Sequence, residues 1–432
     1  MSNTVRADQA QGATFVELFF DLVFVFAVTQ IAATLRDDMT ISGLLRGLLV
    51  FWLVWWAWTQ FTWTLNAADT EHPGIRLSTL CATAVAFLMA LTVPDVYGPA
   101  GWWFSLSYIA VRLIGMGGQW WVSSGDVEWR SAIRTWSVFS LAGLAVVAVA
   151  AALPASQRPA AFAVAIALDV LSAQRAGSGE WRLFPGHFAE RHGLFVIIAL
   201  GESLIAAGVA ARDLPREETL AAAVILAVAA TCALWWTYFG WAKDALEEAM
   251  HPLDSRQRGW FARDVYSLAH FPIICGVIGF AVAIEEAVHH PAEHLHTATA
   301  AALTVGAALF LGGVGGALMR AHRHVTLVRA AAVVVLLVST PFLTGVSATA
   351  ALGAVVITAG AVAVFQRSRL ASGPGASSQP AARGIACRHE RSLLHPPRSA
   401  RHARVDHRLR RPAPHRVLLS QSHDARLHRR GM

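Results

Sequence analysis

Apolar segments of about 20 residues, the length that an α-helix needs to cross a bilayer, recur along this chain from Phe15 to Phe365. The chain is 55% hydrophobic and only 15% charged. These values disfavour a soluble protein, because so many apolar runs would overfill one core. We therefore predict an all-α polytopic membrane protein with about twelve transmembrane helices. The predicted spans are 15–35, 43–64, 76–96, 101–123, 131–153, 158–174, 192–212, 217–241, 266–287, 297–319, 323–345 and 346–365.

The positive net charge of +7 comes from the carboxyl-terminal segment. Residues 367–432 contain fifteen Arg and only three acidic residues, so the rest of the chain is net negative and suggests no nucleic-acid surface. This segment lacks hydrophobic periodicity and predicts a disordered tail, with a polybasic segment on anionic lipid as the alternative. The expected domains are a polar leader (1–14), two membrane repeats (15–186 and 187–365) and the tail (366–432).

Basic residues are concentrated in every second loop, which predicts the orientation of the chain. Loops on the amino-terminal side carry most of the Arg, whereas the opposite loops carry few. Because cytoplasmic loops are enriched in Lys and Arg, we expect both termini to lie in the cytoplasm. We expect the protein itself to lie in the inner membrane. Most Trp residues, including Trp58 and Trp63, fall near predicted cytoplasmic span ends and suggest an aromatic belt.

Two stretches of the chain are similar to one another. FVELFFDLVFVFAVTQI, which starts at Phe15, aligns with FAERHGLFVIIALGESL, which starts at Phe188, so that Glu17 lies opposite Glu190. Each stretch is followed by a Trp-rich span end and then by a His-Pro pair. This order predicts a duplicated six-helix unit, with the two repeats parallel because each unit has an even number of spans.

Three stretches also resemble a known family. VELFFDLVFVFAVTQI, NAADTEHPGIRL and ERHGLFVIIALGES are similar to signature stretches of the bacterial low temperature requirement A (LtrA) family, and the resemblance covers about residues 12–365. It implies a polytopic inner-membrane protein associated with growth in the cold. It implies no established biochemical activity.

Acidic residues inside the apolar spans are the candidate functional groups, because an ionised carboxylate in a bilayer costs several kcal/mol unless it is compensated. Glu17 and Asp21 lie one helical turn apart and should repel each other, and Glu202 lies near the middle of its span. We expect Asp21 and Glu202 to line one polar cavity between the repeats. A structural alternative is that Arg112 neutralises one of them in a fixed ion pair.

The predicted site binds protons or cations through Glu17, Asp21, Glu202 and Arg112. Supporting roles are expected for Gln30, Glu190, Arg191, His192, Ser203 and His72. Arg191 and His192 could cap Glu17 or Glu190, whereas Asp169 suggests an ordinary interfacial cap. The His-rich stretch EEAVHHPAEHLH could hold a metal ion, but a solvated loop is the more frequent case, and neither a metal nor a cofactor is predicted.

Two classes of function remain. The first is a secondary transporter or ion-conducting protein that acts on a small solute or ion through these carboxylates. The second is a membrane-embedded enzyme, or a factor in envelope or lipid assembly. No nucleotide-binding loop, HExxH or GxSxG motif is present to support an enzyme. The sequence favours transport, with the lipid bilayer as the expected surroundings, and specifies no oligomeric state.

Overall fold

The computed structural model of the chain describes residues 5–7, 9, 11–176, 179–322 and 327–371. Helices joined by loops make up this part of the chain, and its only β-type pairings are two isolated bridges. The helices are α1 (Phe15–Asp37), α2 (Ile41–Ala67), α3 (Pro73–Leu91), α4 (Trp102–Val122), α5 (Val127–Ala152), α6 (Arg158–Ala176), α7 (Pro185–Ala211), α8 (Glu218–Phe239), α9 (Ala242–Met250), α10 (Ser255–Phe261), α11 (His270–His289), α12 (Thr297–His322), α13 (Leu327–Leu343) and α14 (Ala348–Ala371).

Within the described ranges, ten helices or continuous helical segments are long and apolar enough to cross a membrane. Helix α13 is apolar but shorter than these, and α4 does not belong to the ten because it contains polar residues such as Arg112 and Gln119. Each of the twelve predicted segments nevertheless overlaps a helix. The last helix continues to Ala371, beyond the predicted domain boundary at 365. The remainder of the predicted tail, 372–432, lies outside the described residues.

Local sequence signals explain where several helices begin. Thr14 precedes α1 and forms a capping box with Glu17, while Asp126 accepts a hydrogen bond from Trp129 N–H at the start of α5. Such side chains satisfy backbone donors that have no partner within the first turn. Pro73 and Pro185 occupy the first positions of α3 and α7, where a missing N–H costs nothing.

The two halves of the described chain show the same pattern of neighbouring helices. In the first half, α1 packs on α3, α3 on α4, and α4 on α5. In the second half, α7 packs on α11, α11 on α12, and α12 on α13. Helices α1 and α7 also contact one another, and α1 contacts α11. The first helix of each half therefore lies at the junction where the two halves meet.

Close packing between α11 and α12 depends on glycine. A Cβ atom added to Gly276 would lie 2.5 Å from the carbonyl oxygen of Gly306, and one added to Gly306 would lie 2.7 Å from the backbone nitrogen of Phe280. Small residues allow membrane helices to approach closely and so to gain dispersion energy, which drives helix association where the lipid is as apolar as the side chains. Just before α11, residues Ala262–Leu268 form a π-helix, a rare element that often marks functional positions.

Candidate functional site

A cluster of four charged or titratable side chains joins α1 to α7. Glu17 and Asp21 lie one turn apart on α1, and His187 and Arg191 have the same spacing on α7, so each pair presents one face to the other helix. Arg191 Nη1 lies 3.3 Å from Glu17 Oε1, and His187 Nε2 lies 3.1 Å from the same oxygen. Arg191 also donates a hydrogen bond to Asp21. All four side chains are fully buried.

Glu17 is surrounded by donors. Thr14 donates from both its backbone N–H and its Oγ1 to Glu17 Oε2, each at 2.9 Å, and His187 Nε2 lies 3.2 Å from the same oxygen. Glu17 Oε1 lies within ion-pair distance of His187 and Arg191 but makes no hydrogen bond to the described residues. A carboxyl group with this many donors is stabilised in its ionised form. Thr14 at the start of α1 and the His187 and Arg191 side chains of α7 therefore surround the Glu17 carboxyl group.

Asp21 has an asymmetric environment. Its Oδ1 accepts hydrogen bonds from Arg191 and from Trp58 Nε1, the latter at 2.7 Å. Its Oδ2 is buried and makes no hydrogen bond to any described residue. The Arg191 guanidinium carbon also lies 5.8 Å from the centre of the Trp58 ring, so Trp58 contacts both members of the ion pair.

Asn66 determines the tautomer of His187. The Asn66 Oδ1 accepts from the Phe184 N–H at 2.8 Å, which leaves Nδ2 as the atom that faces His187 Nδ1 at 3.3 Å. Because Nδ2 is a donor, His187 Nδ1 must accept, and the ring proton lies on Nε2, toward Glu17. A doubly protonated ring would place a second donor against Asn66. Asn66 thus orients His187 with its Nε2 toward Glu17.

Arg112 forms a second buried network, separate from the first. Its guanidinium binds Asp169 through two hydrogen bonds, of 3.0 and 3.1 Å, and donates to Tyr108, Ser140 and Gln60. Every donor atom of the guanidinium thus has a partner, and the charges balance. The expectation that Arg112 neutralises Asp21 or Glu202 is wrong, because Asp169 occupies that role. Asp169 is buried between α4, α5 and α6 and is not an interfacial cap.

Glu202 lies apart from Asp21. Its carboxyl group is beside Thr29 and interacts with Glu285, which forms an ion pair with Arg36. Thr29 follows Asp21 by eight residues, or about 12 Å along a helix, so the two carboxyl groups lie at different depths along α1. Asp21 and Glu202 therefore do not share the expected single cavity. They belong to two sites, which we call the inner acidic site (Glu17 and Asp21) and the outer acidic site (Glu202 and Glu285).

The supporting residues are dispersed. Glu190, on α7, accepts a hydrogen bond from the Ala13 N–H at 3.0 Å and so binds the segment that precedes α1. His192 bonds the Phe188 carbonyl oxygen and faces away from Glu17, toward the rings of Trp58 and His270. Ser203 is buried without a hydrogen bond to the described residues. His72 caps α3 through Gly74 N–H. Gln30 is half-buried next to Thr29.

Three members of these clusters were missed by sequence reasoning. His187 lies four residues before Arg191, and that spacing was available as a signal for a shared helix face. Trp58 was placed in an aromatic belt, but the structure buries it completely, because helix faces toward protein and toward lipid are equally apolar in sequence. Asp169 gave no signal beyond its position in a span. Among the described residues, no group of three or more His, Cys, Asp or Glu side chains is placed to hold a metal ion.

The fold and the buried ion clusters define the class of this protein, a multi-pass α-helical membrane protein with charged groups held between its helices. Within that class, the model of the bacterial low temperature requirement A protein (LtrA) family matches residues 12–364, and the chain belongs to this family. An uncharacterized protein of Rhizobium meliloti (strain 1021) is 27% identical over 342 residues, which cover 71% of this chain and 77% of that relative. No solved structure matches the chain.

Proposed function

We propose that this protein is a secondary transporter or ion-conducting protein in which Asp21 carries the exchangeable proton. The observation that supports the proposal is the charge balance of the inner acidic site. Glu17 and Asp21 face one permanent cation, Arg191, and the Nε2 atom of His187. With both carboxyl groups ionised, the two acids and Arg191 would hold one uncompensated negative charge, which costs several kcal/mol in a membrane interior.

One bound proton removes that cost, and its position follows from the donors. Glu17 Oε2 accepts from Thr14, and Glu17 Oε1, although it makes no hydrogen bond, lies within ion-pair distance of both His187 and Arg191, so a proton on either oxygen would disturb a favourable contact. Asp21 Oδ2 makes no hydrogen bond to the described residues, so a proton there displaces no donor. Release of this proton requires water, a cation or a change in helix packing to compensate Asp21. That requirement couples the charge state of Asp21 to the conformation of the α1–α7 junction.

The outer acidic site extends this proposal. Glu202 interacts with Glu285, and Glu285 forms an ion pair with Arg36, so two acids here share one arginine and also favour a bound proton or cation. Both sites involve α1 and α7, and the outer site also includes Glu285 of α11. A carrier that binds ions in turn from the two sides of a membrane could use such a pair of sites.

The overall arrangement that we propose has twelve spans in two parallel six-helix repeats, both termini in the cytoplasm and the protein in the inner membrane. The repeated pattern of helix neighbours supports the duplication, since α1, α3, α4 and α5 correspond in their contacts to α7, α11, α12 and α13. Under this arrangement α1 and α7 are equivalent helices at the repeat interface, where transporters of this kind place their binding sites.

Flux in proteoliposomes tests the proposal. Purified protein is reconstituted, a pH gradient is imposed, and proton movement is followed with a pH-sensitive dye in the presence of common cations. We expect Asp21→Asn to abolish flux while the protein remains folded and monodisperse. Asp213→Asn is the matched control, because Asp213 is exposed in the loop after α7, and it should retain flux.

A purely structural role for the acids predicts a different result. If Asp21 only orients Arg191, then Asp21→Asn should disturb folding, and the double variant Asp21→Asn with Arg191→Gln should restore it. Wild-type protein that shows no flux of protons or cations, or a folded Asp21→Asn variant with unchanged flux, would refute the proposal.

A further inference from the structure

A cavity next to the Arg112 network is not explained by the ion sites. It is lined by residues of α2, α5, α10 and the π-helix and by the carboxyl-terminal ends of α4 and α6. It contains about 50 Å³ of space available to the centre of a water-sized sphere. Since one water needs roughly 10–15 Å³ by this measure, the cavity has room for about three to five waters, or a single six-membered ring.

The walls of this cavity are aromatic. Trp56, Trp63, Trp136 and Trp181 all line it. The indole N–H of Trp63 donates to Ser267 Oγ at 2.9 Å, and that of Trp181 donates to the Ala176 carbonyl oxygen at 3.0 Å. These two rings are therefore fixed by the protein and offer a ligand aromatic carbon rather than a donor. Such walls favour a flat, polarisable ring.

One acceptor in the cavity lacks a partner. Gln119 lines it, is 3% exposed, and its Oε1 makes no hydrogen bond to any described residue. A buried acceptor without a donor is unfavourable, so a bound group with an O–H or N–H would be stabilised there. Gln60 bonds Arg112 through both its Oε1 and its Nε2 and makes no hydrogen bond to Gln119 Oε1.

The cavity also has a positive edge. Arg263 lines it and bonds Asp264, but Asp264 accepts from Arg320 as well. Two guanidinium groups thus share one carboxylate, and one positive charge remains uncompensated in this triad. The charge of Arg263 favours an anionic group on the ligand.

From these three features we propose that the cavity is a binding site for a small aromatic hydroxy acid, that is, a single ring with one hydroxyl and one carboxylate. The ring packs between the indoles, the hydroxyl donates to Gln119 Oε1, and the carboxylate faces Arg263. That such a compound is also the transported solute rests on the proposed transport function, whereas binding does not.

Titration calorimetry on the full-length protein in detergent tests binding without any flux measurement. The probes are 4-hydroxybenzoate, benzoate, which lacks the donor, and cyclohexanecarboxylate, which lacks the aromatic ring. We expect 4-hydroxybenzoate to bind about 3- to 10-fold more tightly than benzoate, the effect of one net hydrogen bond, and cyclohexanecarboxylate to bind most weakly.

Two variants assign the contacts. Gln119→Leu should remove the preference for the hydroxyl, so that 4-hydroxybenzoate and benzoate bind equally. Arg263→Gln should weaken all three acids while leaving the hydroxyl preference intact. Gln157→Leu is the control, because Gln157 is exposed in the α5–α6 loop, and it should bind like the wild type.

Two results would overturn the proposal. The first is that none of the three acids binds the wild-type protein. The second is that the hydroxyl preference persists in Gln119→Leu. If Gln119→Leu fails to fold, judged by gel filtration, then an unchanged affinity of Arg263→Gln for the three acids would also overturn the proposal. Binding that survives while proteoliposome flux is absent would retain this site and reject only the transport function.

Discussion

At the scale of single residues, two of the buried arginines, Arg112 and Arg191, are paired with carboxyl groups in different ways. Arg112 meets one carboxylate, Asp169, and has a partner for each donor atom. Arg191 meets two carboxyl groups, and its cluster is neutral only when one proton is bound. The first arrangement is closed and suits a structural role. The second leaves one acid without a cation of its own, and it is the arrangement on which the proposed proton exchange rests.

The closed network gives a stability prediction. Asp169→Leu leaves the Arg112 charge buried without a counterion, and breaking a buried pair in this way costs about 3–5 kcal/mol. We expect a clear drop in the melting temperature of the detergent-solubilised protein, measured by intrinsic fluorescence. The double variant Arg112→Leu with Asp169→Leu should recover part of the loss. A single variant as stable as wild type would show that Arg112 does not need Asp169.

Asp126, in the loop between α4 and α5, gives a prediction of pH dependence. Partial burial by itself would raise the pKa of Asp126, but the hydrogen bond from Trp129 N–H and the nearby Arg182 and Arg6 outweigh it and lower that pKa. A lowered folded-state pKa means that the stabilisation is present above the ordinary Asp value of about 3.9 and is lost as the pH falls below it.

The difference in melting temperature between wild type and Asp126→Asn tests this reasoning. It should be constant between pH 7 and 5 and should shrink toward zero as the pH is lowered to 3. Glu71→Gln serves as the control, since Glu71 forms an exposed pair with Arg76 and should show little difference at any pH. A difference between wild type and Asp126→Asn that grows on acidification would contradict the assignment.

At the scale of helices, the contact between α11 and α12 is limited by backbone atoms rather than by side chains. Gly306→Ala would place a Cβ 2.7 Å from the Phe280 backbone nitrogen and 2.8 Å from the Gly276 carbonyl oxygen, so the helices must separate. Overpacking of this kind costs about 1–3 kcal/mol. We expect a lower melting temperature for Gly306→Ala, measured in the same detergent.

Gly316→Ala is the matched control on the same helix. No atom lies within 4 Å of a Cβ at Gly316, and Ala is favoured over Gly in a helix by up to about 1 kcal/mol. This variant should be neutral or slightly stabilised. Equal effects at positions 306 and 316 would show that helix propensity, and not the α11–α12 contact, determines the result.

At the scale of the whole molecule, the arrangement of basic loops predicts orientation. Arg182 lies in the segment between α6 and α7, and His294 lies in the loop between α11 and α12. Because the loops on the amino-terminal side carry the excess of arginine, we expect Arg182 in the cytoplasm and His294 on the opposite side. Reporter fusions at the two positions, one active only in the cytoplasm and one only outside it, measure this directly. Fusions that report the same side would refute the predicted topology.

The sequence by itself determined the class of the protein, the positions of its helices and its family. Each predicted span overlaps a helix, because the thickness of a bilayer imposes a length on apolar segments that can be read locally. The resemblance of three short stretches to the LtrA family is confirmed by a match that covers residues 12–364. The ends of the helices were predicted less accurately: α14 extends to Ala371, whereas the last predicted span ends at residue 365.

Only the tertiary structure decided which charged groups meet. Asp21 pairs with Arg191 on α7, and Arg112 pairs with Asp169 on α6, although the sequence suggested Arg112 as a partner for Asp21. Trp58 lies in the core rather than at the membrane interface. The physical reason is that apolar residues surround a membrane helix on every side, so the hydrophobic pattern does not tell which face meets protein and which meets lipid. The rotation of each helix is set by packing against helices distant in sequence, and that rotation selects the partners of every buried charge.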